Sequence, residues 1–100
     1  MAFPSPAQDY MSPCIDLNRE LVLHPAATFY GRVVTGAMSA EGVDKGDVLV
    51  IDRSLDPSEG TLAVCFIDGE FALRRLSGDD YASAGDLMVW GIVTYVIKKV

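Results

Sequence analysis

Few side chains in this sequence are placed for covalent chemistry, and the stretch best shaped for it lacks the reacting atom. From Val34 the chain reads Val34-Thr35-Gly36-Ala37-Met38, turns again at Gly46-Asp47, and enters the apolar run Val48-Leu49-Val50-Ile51-Asp52. A small-residue turn that leads into a buried strand brings backbone close to a neighbour and can present a nucleophile. Here the residue so presented is Ala37, which has nothing to attack with. His24 is the single histidine. As a general base it would need a serine or cysteine partner. None accompanies it, and its place before Pro25 reads as a turn residue. Cys14 lies near the N-terminal arm, and Cys65 sits inside the apolar run Leu62–Ile67, where a thiol serves as a small hydrophobe. There is no CxxC and no His/Cys cluster, so no metal site and no cofactor are expected.

The bulk numbers bound the setting of those residues. One hundred residues, half of them hydrophobic, make one domain with a modest core. No apolar run approaches the roughly 18 residues of a membrane span, and no signal-peptide pattern opens the chain. A cytoplasmic protein with no membrane contact and both cysteines reduced is expected. Fourteen acidic against eight basic residues give a net charge of −6. That balance argues against direct nucleic-acid binding, which rests on Lys and Arg, and favours protein partners.

The elements that position these residues are mostly strands. Residues 1–14 hold Pro4, Pro6 and Pro13 and read as an extended arm. The rest, 15–100, reads as one β domain. Asp16 to Leu23 predicts one short helix, capped by Asp16 or Asn18, with Leu17, Leu21 and Val22 as its apolar face and Pro25 as its stop. Strands are predicted over Thr28–Val34, Val48–Asp52, Thr61–Ile67, Glu70–Leu76 and Leu87–Ile97. Val48–Asp52 is apolar enough to be covered on both faces. Asp68-Gly69 is a hairpin signal that pairs the third and fourth strands, with Phe71 and Leu73 on one face and Ala72 and Arg74 on the other. In the last strand, Met88, Trp90 and Ile92 alternate with Val89, Val93 and Tyr95, and Gly91 suggests a bulge or kink. Trp90 and Tyr95 read as core or interface packing. Ser77–Asp86 reads as a loop. The sum is a mostly β domain, a small barrel-like or folded sheet.

A set of residues along the chain carries a resemblance. They are Phe3-Pro4-Ser5-Pro6-Ala7, Asp9-Tyr10, Ile15-Asp16-Leu17-Asn18, His24-Pro25-Ala26-Ala27-Thr28, Gly46-Asp47 with Val48–Asp52, Asp68-Gly69-Glu70-Phe71, and Gly91-Ile92-Val93. Together they resemble the UmuD-like branch of the LexA-like S24 peptidases, in processed form. The resemblance implies the small β fold of that family's C-terminal domain. It also implies a Ser-Lys dyad: a serine on a Ser-Gly-Asp-Ser-Met-type turn, and a lysine on the strand after the Asp-Gly hairpin. The lysine takes the serine's proton only when burial lowers its pKa.

Read without gaps from Ile15, the serine position falls on Ala37, flanked by Gly36 and Met38, and the lysine position falls on Arg74. Alanine has no oxygen. Arginine keeps its proton at any ordinary pH and is no general base. Both halves of the dyad are therefore expected to be inactive. Ser39 or Thr35 as replacement nucleophile, and Lys45 or Arg75 as replacement partner, are the remaining rescues. Met1-Ala2 begins where family members are cut, so the chain resembles the product of cleavage made directly. Between Leu76 and Val89 it is shorter than the family, by a segment that includes strand sequence.

What the resemblance implies without chemistry is binding. The expectation is a catalytically inactive accessory protein in the SOS DNA-damage response. It would form a homodimer and join a Y-family polymerase subunit, or a full-length UmuD-like relative, for translesion synthesis. Two alternatives stand beside it. One is an S24 serine peptidase inactivated by substitution at Ala37. The other is a decoy that forms mixed dimers with an active relative.

Overall fold

The computed structural model describes residues 14–36, 39–78 and 88–100. The arm read at 1–14 thus lies outside it except for Cys14. Of the stretch read as a loop, only Ser77 and Gly78 are described.

Helix α1 (Leu17–Leu21) starts where the sequence puts its cap. Asp16 Oδ1 accepts from the N–H groups of Asn18 at 3.1 Å and Arg19 at 3.3 Å, satisfying two of the donors a helix start leaves open. The helix is shorter than read. None of its residues is buried, and Leu17 is 64% exposed, so the expected apolar face forms only in part. A 3-10 turn at Pro25–Ala27 follows.

Five strands make one antiparallel sheet: β1 (Thr28–Arg32), β2 (Val48–Asp52), β3 (Leu62–Ile67), β4 (Glu70–Arg75) and β5 (Met88–Ile97), in the order β1-β2-β5-β3-β4. The mostly β class is as the sequence predicts, and β2 matches residue for residue. Strands β1 and β4 are shorter than read, although Val33 N–H to Asp47 O at 2.9 Å and Leu76 N–H to Thr61 O at 2.8 Å continue the register of their ladders by one pair. The Asp68-Gly69 hairpin is present, with both residues at positive φ (51° and 83°) as a two-residue turn of this hand needs.

The sheet is apolar on both sides. One face buries Leu49, Ile51, Leu62 and Val64 under Val33 and Val43 of the loop after β1. The other buries Ala63, Cys65 and Ile92 with Leu76. Burying aliphatic side chains at about 1.5–3 kcal/mol each is what holds so small a sheet. It also explains why β2 and β3 are apolar along most of their length.

Strand β5 departs from the alternation read in the sequence. Its register slips beside Val64/Cys65, where Trp90 is the extra residue, and beside Val50/Ile51, where Thr94 is. Each bulge flips the side-chain parity. Val89 therefore joins Ile92 on one face, while Trp90, Val93 and Val96 pack on the other. Trp90 packs as expected. Its ring meets Phe29 at 5.3 Å and Phe71 at 5.6 Å, with the Arg53 guanidinium 4.5 Å above it. Tyr95 is exposed. Gly91 sits between the bulges because nothing larger fits. A Cβ there would lie 2.6 Å from Ile51 Cγ2 and 3.3 Å from Arg53 Cγ.

The N-terminal segment is pinned to the sheet through Asp52. His24 Nδ1–H donates to Asp52 Oδ2 at 2.6 Å. Asp52 Oδ1 accepts from Ser54 N–H at 2.8 Å and from Ser54 Oγ at 2.6 Å. Thr28 Oγ1 donates to His24 O, and Arg53 N–H to Ala27 O, closing the corner. The Ser54 hydroxyl first, and the His24 ring second, hold the Asp52 carboxyl down at about 2. That lies below the value of about 3.9 in an unfolded chain, so the native state keeps the carboxylate charged where the unfolded chain is protonated. The stability this contributes is complete above about pH 4 and is lost as pH falls through 2.

Two predictions follow from this packing. Gly91→Ala should lower stability by about 1–3 kcal/mol in urea unfolding, as forced overpacking does; an unchanged midpoint would show that Ile51 moves aside freely. Asp52→Asn should flatten the pH dependence of the thermal midpoint between pH 4 and 2. Superimposable slopes for the two proteins would remove the linkage assigned to Asp52.

Candidate functional site

Position 74 is fixed by the β3–β4 hairpin. Arg74 stands opposite Ala63 on β3, in a row that continues through Ile92 and Asp52 to Thr28 across all five strands. It is exposed. The guanidinium there is a permanent cation, able to bind a carboxylate and unable to take a proton.

The turn that carries the other dyad position is described up to Gly36 and again from Ser39; Ala37 and Met38 lie outside the described residues. Its two ends are well anchored. Gly36 O accepts from Ser39 Oγ at 2.7 Å and from Ser39 N–H at 3.2 Å, leading into a 3-10 turn at Ser39–Glu41. Beyond it the loop folds back on β1. Gly46 N–H reaches Val33 O at 2.8 Å, and Arg32 Nη1 donates to Gly46 O at 3.0 Å, with Gly46 at φ 94°, a conformation glycine alone adopts cheaply.

A charged clamp then ties this loop to the end of β5. Lys98 Nζ donates to Asp44 Oδ2 at 2.8 Å and to the buried Asp47 Oδ2 at 2.5 Å, which also accepts from Asp44 N–H at 2.8 Å. The hydrogen bonds from Lys98 hold both carboxyls below their ordinary value. The N–H of Asp44 adds to this at Asp47, and the Ser39 hydroxyl adds to it at Asp44. In return the two aspartates, Asp44 foremost, push the Lys98 ammonium up.

Two of the rescue residues, Ser39 and Arg75, hold other groups of the chain. The Ser39 hydroxyl donates to Gly36 O and lies beside the Asp44 carboxylate. Arg75 Nε binds Glu41 Oε2 at 2.9 Å and its Nη1 binds Gly60 O at 3.1 Å, a structural tie between β4 and the loop. Thr35 and Lys45 are exposed. His24 is oriented by a carboxylate as a catalytic histidine would be. However, Asp52 and Arg74 are three strand spacings apart in their row, roughly 14 Å, so the pair acts as a corner pin. Asp52 escaped the sequence reading; its signal was a lone carboxylate ending an otherwise apolar strand.

Among the described residues no three His, Cys, Asp or Glu side chains converge as metal ligands, and no helix is long and apolar enough to cross a membrane. Cys14 is exposed and Cys65 buried, and neither is in a disulfide among the described residues. A shallow cleft of about 500 Å³ beside α1 is lined by Cys14, Ile15, Asp16, Arg19 and Glu20, none of them a dyad position.

Comparison with known proteins gives this geometry its lineage. Residues 1–87 match the Peptidase S24-like family. Protein ImpA of Escherichia coli is 46% identical over 111 positions, spanning 97% of this chain and 77% of ImpA. Protein SamA of Salmonella typhimurium is 40% identical over 109 positions, 97% of this chain and 78% of SamA. Protein MucA of Escherichia coli is 45% identical over 74 positions, 74% of this chain and 51% of MucA. Because 97% of 100 residues fills only about 97 of the 111 positions shared with ImpA, about 14 have no counterpart here. The pattern of matches, the all-antiparallel sheet and the hairpin that carries position 74 agree: this chain belongs to the Peptidase S24-like family, among its UmuD-like members.

Proposed function

We infer that this protein serves SOS mutagenesis as a UmuD-like accessory subunit that binds and does not cleave. It self-associates and contacts a Y-family DNA polymerase subunit, or a full-length UmuD-like relative, in the cytoplasm. One observation carries the reading: alanine at position 37 and arginine at position 74, where the family's chemistry needs a hydroxyl and a neutral amine. The two replacements fail for different chemical reasons, so reversing one leaves the other in force. The commitments of Ser39 and Arg75 within the chain support the same reading. The net charge of −6 suits a protein partner better than DNA.

Ala37→Ser alone should leave the protein unable to cut either a peptide of the family's cleavage sequence or the arm of a UmuD-like relative, because Arg74 still cannot accept the proton. Mass spectrometry of the products reads this directly, and cleavage by the single variant would overturn it. Co-purification with a Y-family polymerase subunit supports the accessory role. Mixed dimers with a relative that exclude the polymerase would replace it with a dampening one.

A further inference from the structure

We propose that Lys98 is an electrostatic latch: by holding Asp44 and Asp47 it keeps the turn at 42–47 closed on the sheet, and ionic conditions that loosen its grip bare the apolar face beneath. The device goes beyond the binding role put forward above and does not depend on it.

The turn is folded on itself and hinged at its ends. Asp47 N–H reaches Asp44 O at 3.1 Å, and Gly42 N–H reaches Ser39 O at 3.0 Å. Gly42 and Gly46 both take positive φ (81° and 94°), and a Cβ at either would meet nothing within 4 Å. Two glycines with open space around them can absorb the dihedral change of an opening. Backbone joins the turn to the end of β1, where Val33 O accepts from Gly46 N–H. A side chain joins it to the core: Val43, 1% exposed, packs with Val33, Leu49, Ile51, Leu62 and Val64. When the turn lifts, Val43 leaves that cluster and the sheet residues of the cluster are uncovered. From the far side of the sheet, past β5, comes Lys98.

Charge makes Lys98 the deciding contact. The Asp47 side chain is 8% exposed, and a carboxylate so placed must be paired or take a proton. The charged groups that face it are Lys98, from beyond β5, and Asp44, from the turn itself, whose N–H also reaches Asp47 Oδ2. Arg32 of β1 is bonded to Gly46 O, Glu41 ahead of the turn is bonded to Arg75 of β4, and Lys45 is exposed. One ammonium therefore sits between two carboxylates. Without it, two like charges share the turn. The Lys98 side chain is 39% exposed, so water and salt reach the outer side of the latch while the inner carboxylate stays dry. Lys98 holds both carboxyls below their ordinary value, so their contribution to the closed turn is complete above about pH 4 and lost as pH falls further. They hold the ammonium above its own ordinary value, so its contribution is complete below about pH 10 and lost as pH rises further.

Amide hydrogen exchange read by NMR tests the latch. The amides of Asp44 and Gly46 are bonded only while the turn is closed, and those of β3, flanked by a strand on each side, report the sheet. Lys98→Met should speed exchange at Asp44 and Gly46 about tenfold or more relative to β3, because it leaves Asp47 buried without its cation. Lys98→Arg keeps the cation and should restore most of the protection. In the unsubstituted protein, raising sodium chloride from about 0.05 M to about 1 M shortens the screening length to about 3 Å and should speed the same two amides relative to β3. That second measurement decides the matter even where Lys98→Met does not fold. A ratio of turn to β3 exchange that stays fixed in either experiment would overturn the latch and leave Lys98 as a plain structural tie.

Discussion

Strand β5 is the constraint on which the rest of the sheet depends. It lies between β2 and β3 and, among the described residues, is the sole strand joining the β1–β2 pair to the β3–β4 hairpin. Its place is decided at one residue. Gly91 lets the strand lie against Ile51 and Arg53 at a distance no side chain would permit, and the bulges at Trp90 and Thr94 re-aim the residues on either side of it. The result is a strand that feeds both cores at once, Ile92 into one and Val93 and Val96 into the other.

The same strand reaches the candidate site through its end. Just past β5, Lys98 grips Asp44 and Asp47, and so fixes the loop that begins at Val33 and carries the Gly36 turn. Arg74, where the resemblance puts the lysine, rides on β4, which is fixed through β3 to β5. The framework of a Ser-Lys site is thus held by backbone ladders, a close approach and one buried carboxylate. None of these needs the reacting atoms.

Much of this was legible in the sequence, and the exceptions have physical causes. The hairpin, β2 and the Asp16 cap are local: two-residue turns, a β-branched run and a carboxylate before a helix act within a few residues of themselves. The alternation in β5 was misread because a bulge is set by the partner strands, which the sequence of β5 alone does not contain. The partial face of α1 was hidden for the same reason. The His24–Asp52 pin was invisible as a pair, since 28 residues separate its members. At the dyad itself, positions 37 and 74 rest on the resemblance and its spacing, and Ala37 lies outside the described residues.

The central claim is that this S24 framework retains binding and has lost hydrolysis. The most direct measurement is peptide-bond cleavage by the purified, unsubstituted protein on a peptide of the family's cleavage sequence. It should be followed from pH 7 to pH 10, where a buried lysine would gain its free base. The account predicts an intact peptide across the whole range. Cleavage that a serine-directed reagent abolishes would contradict it.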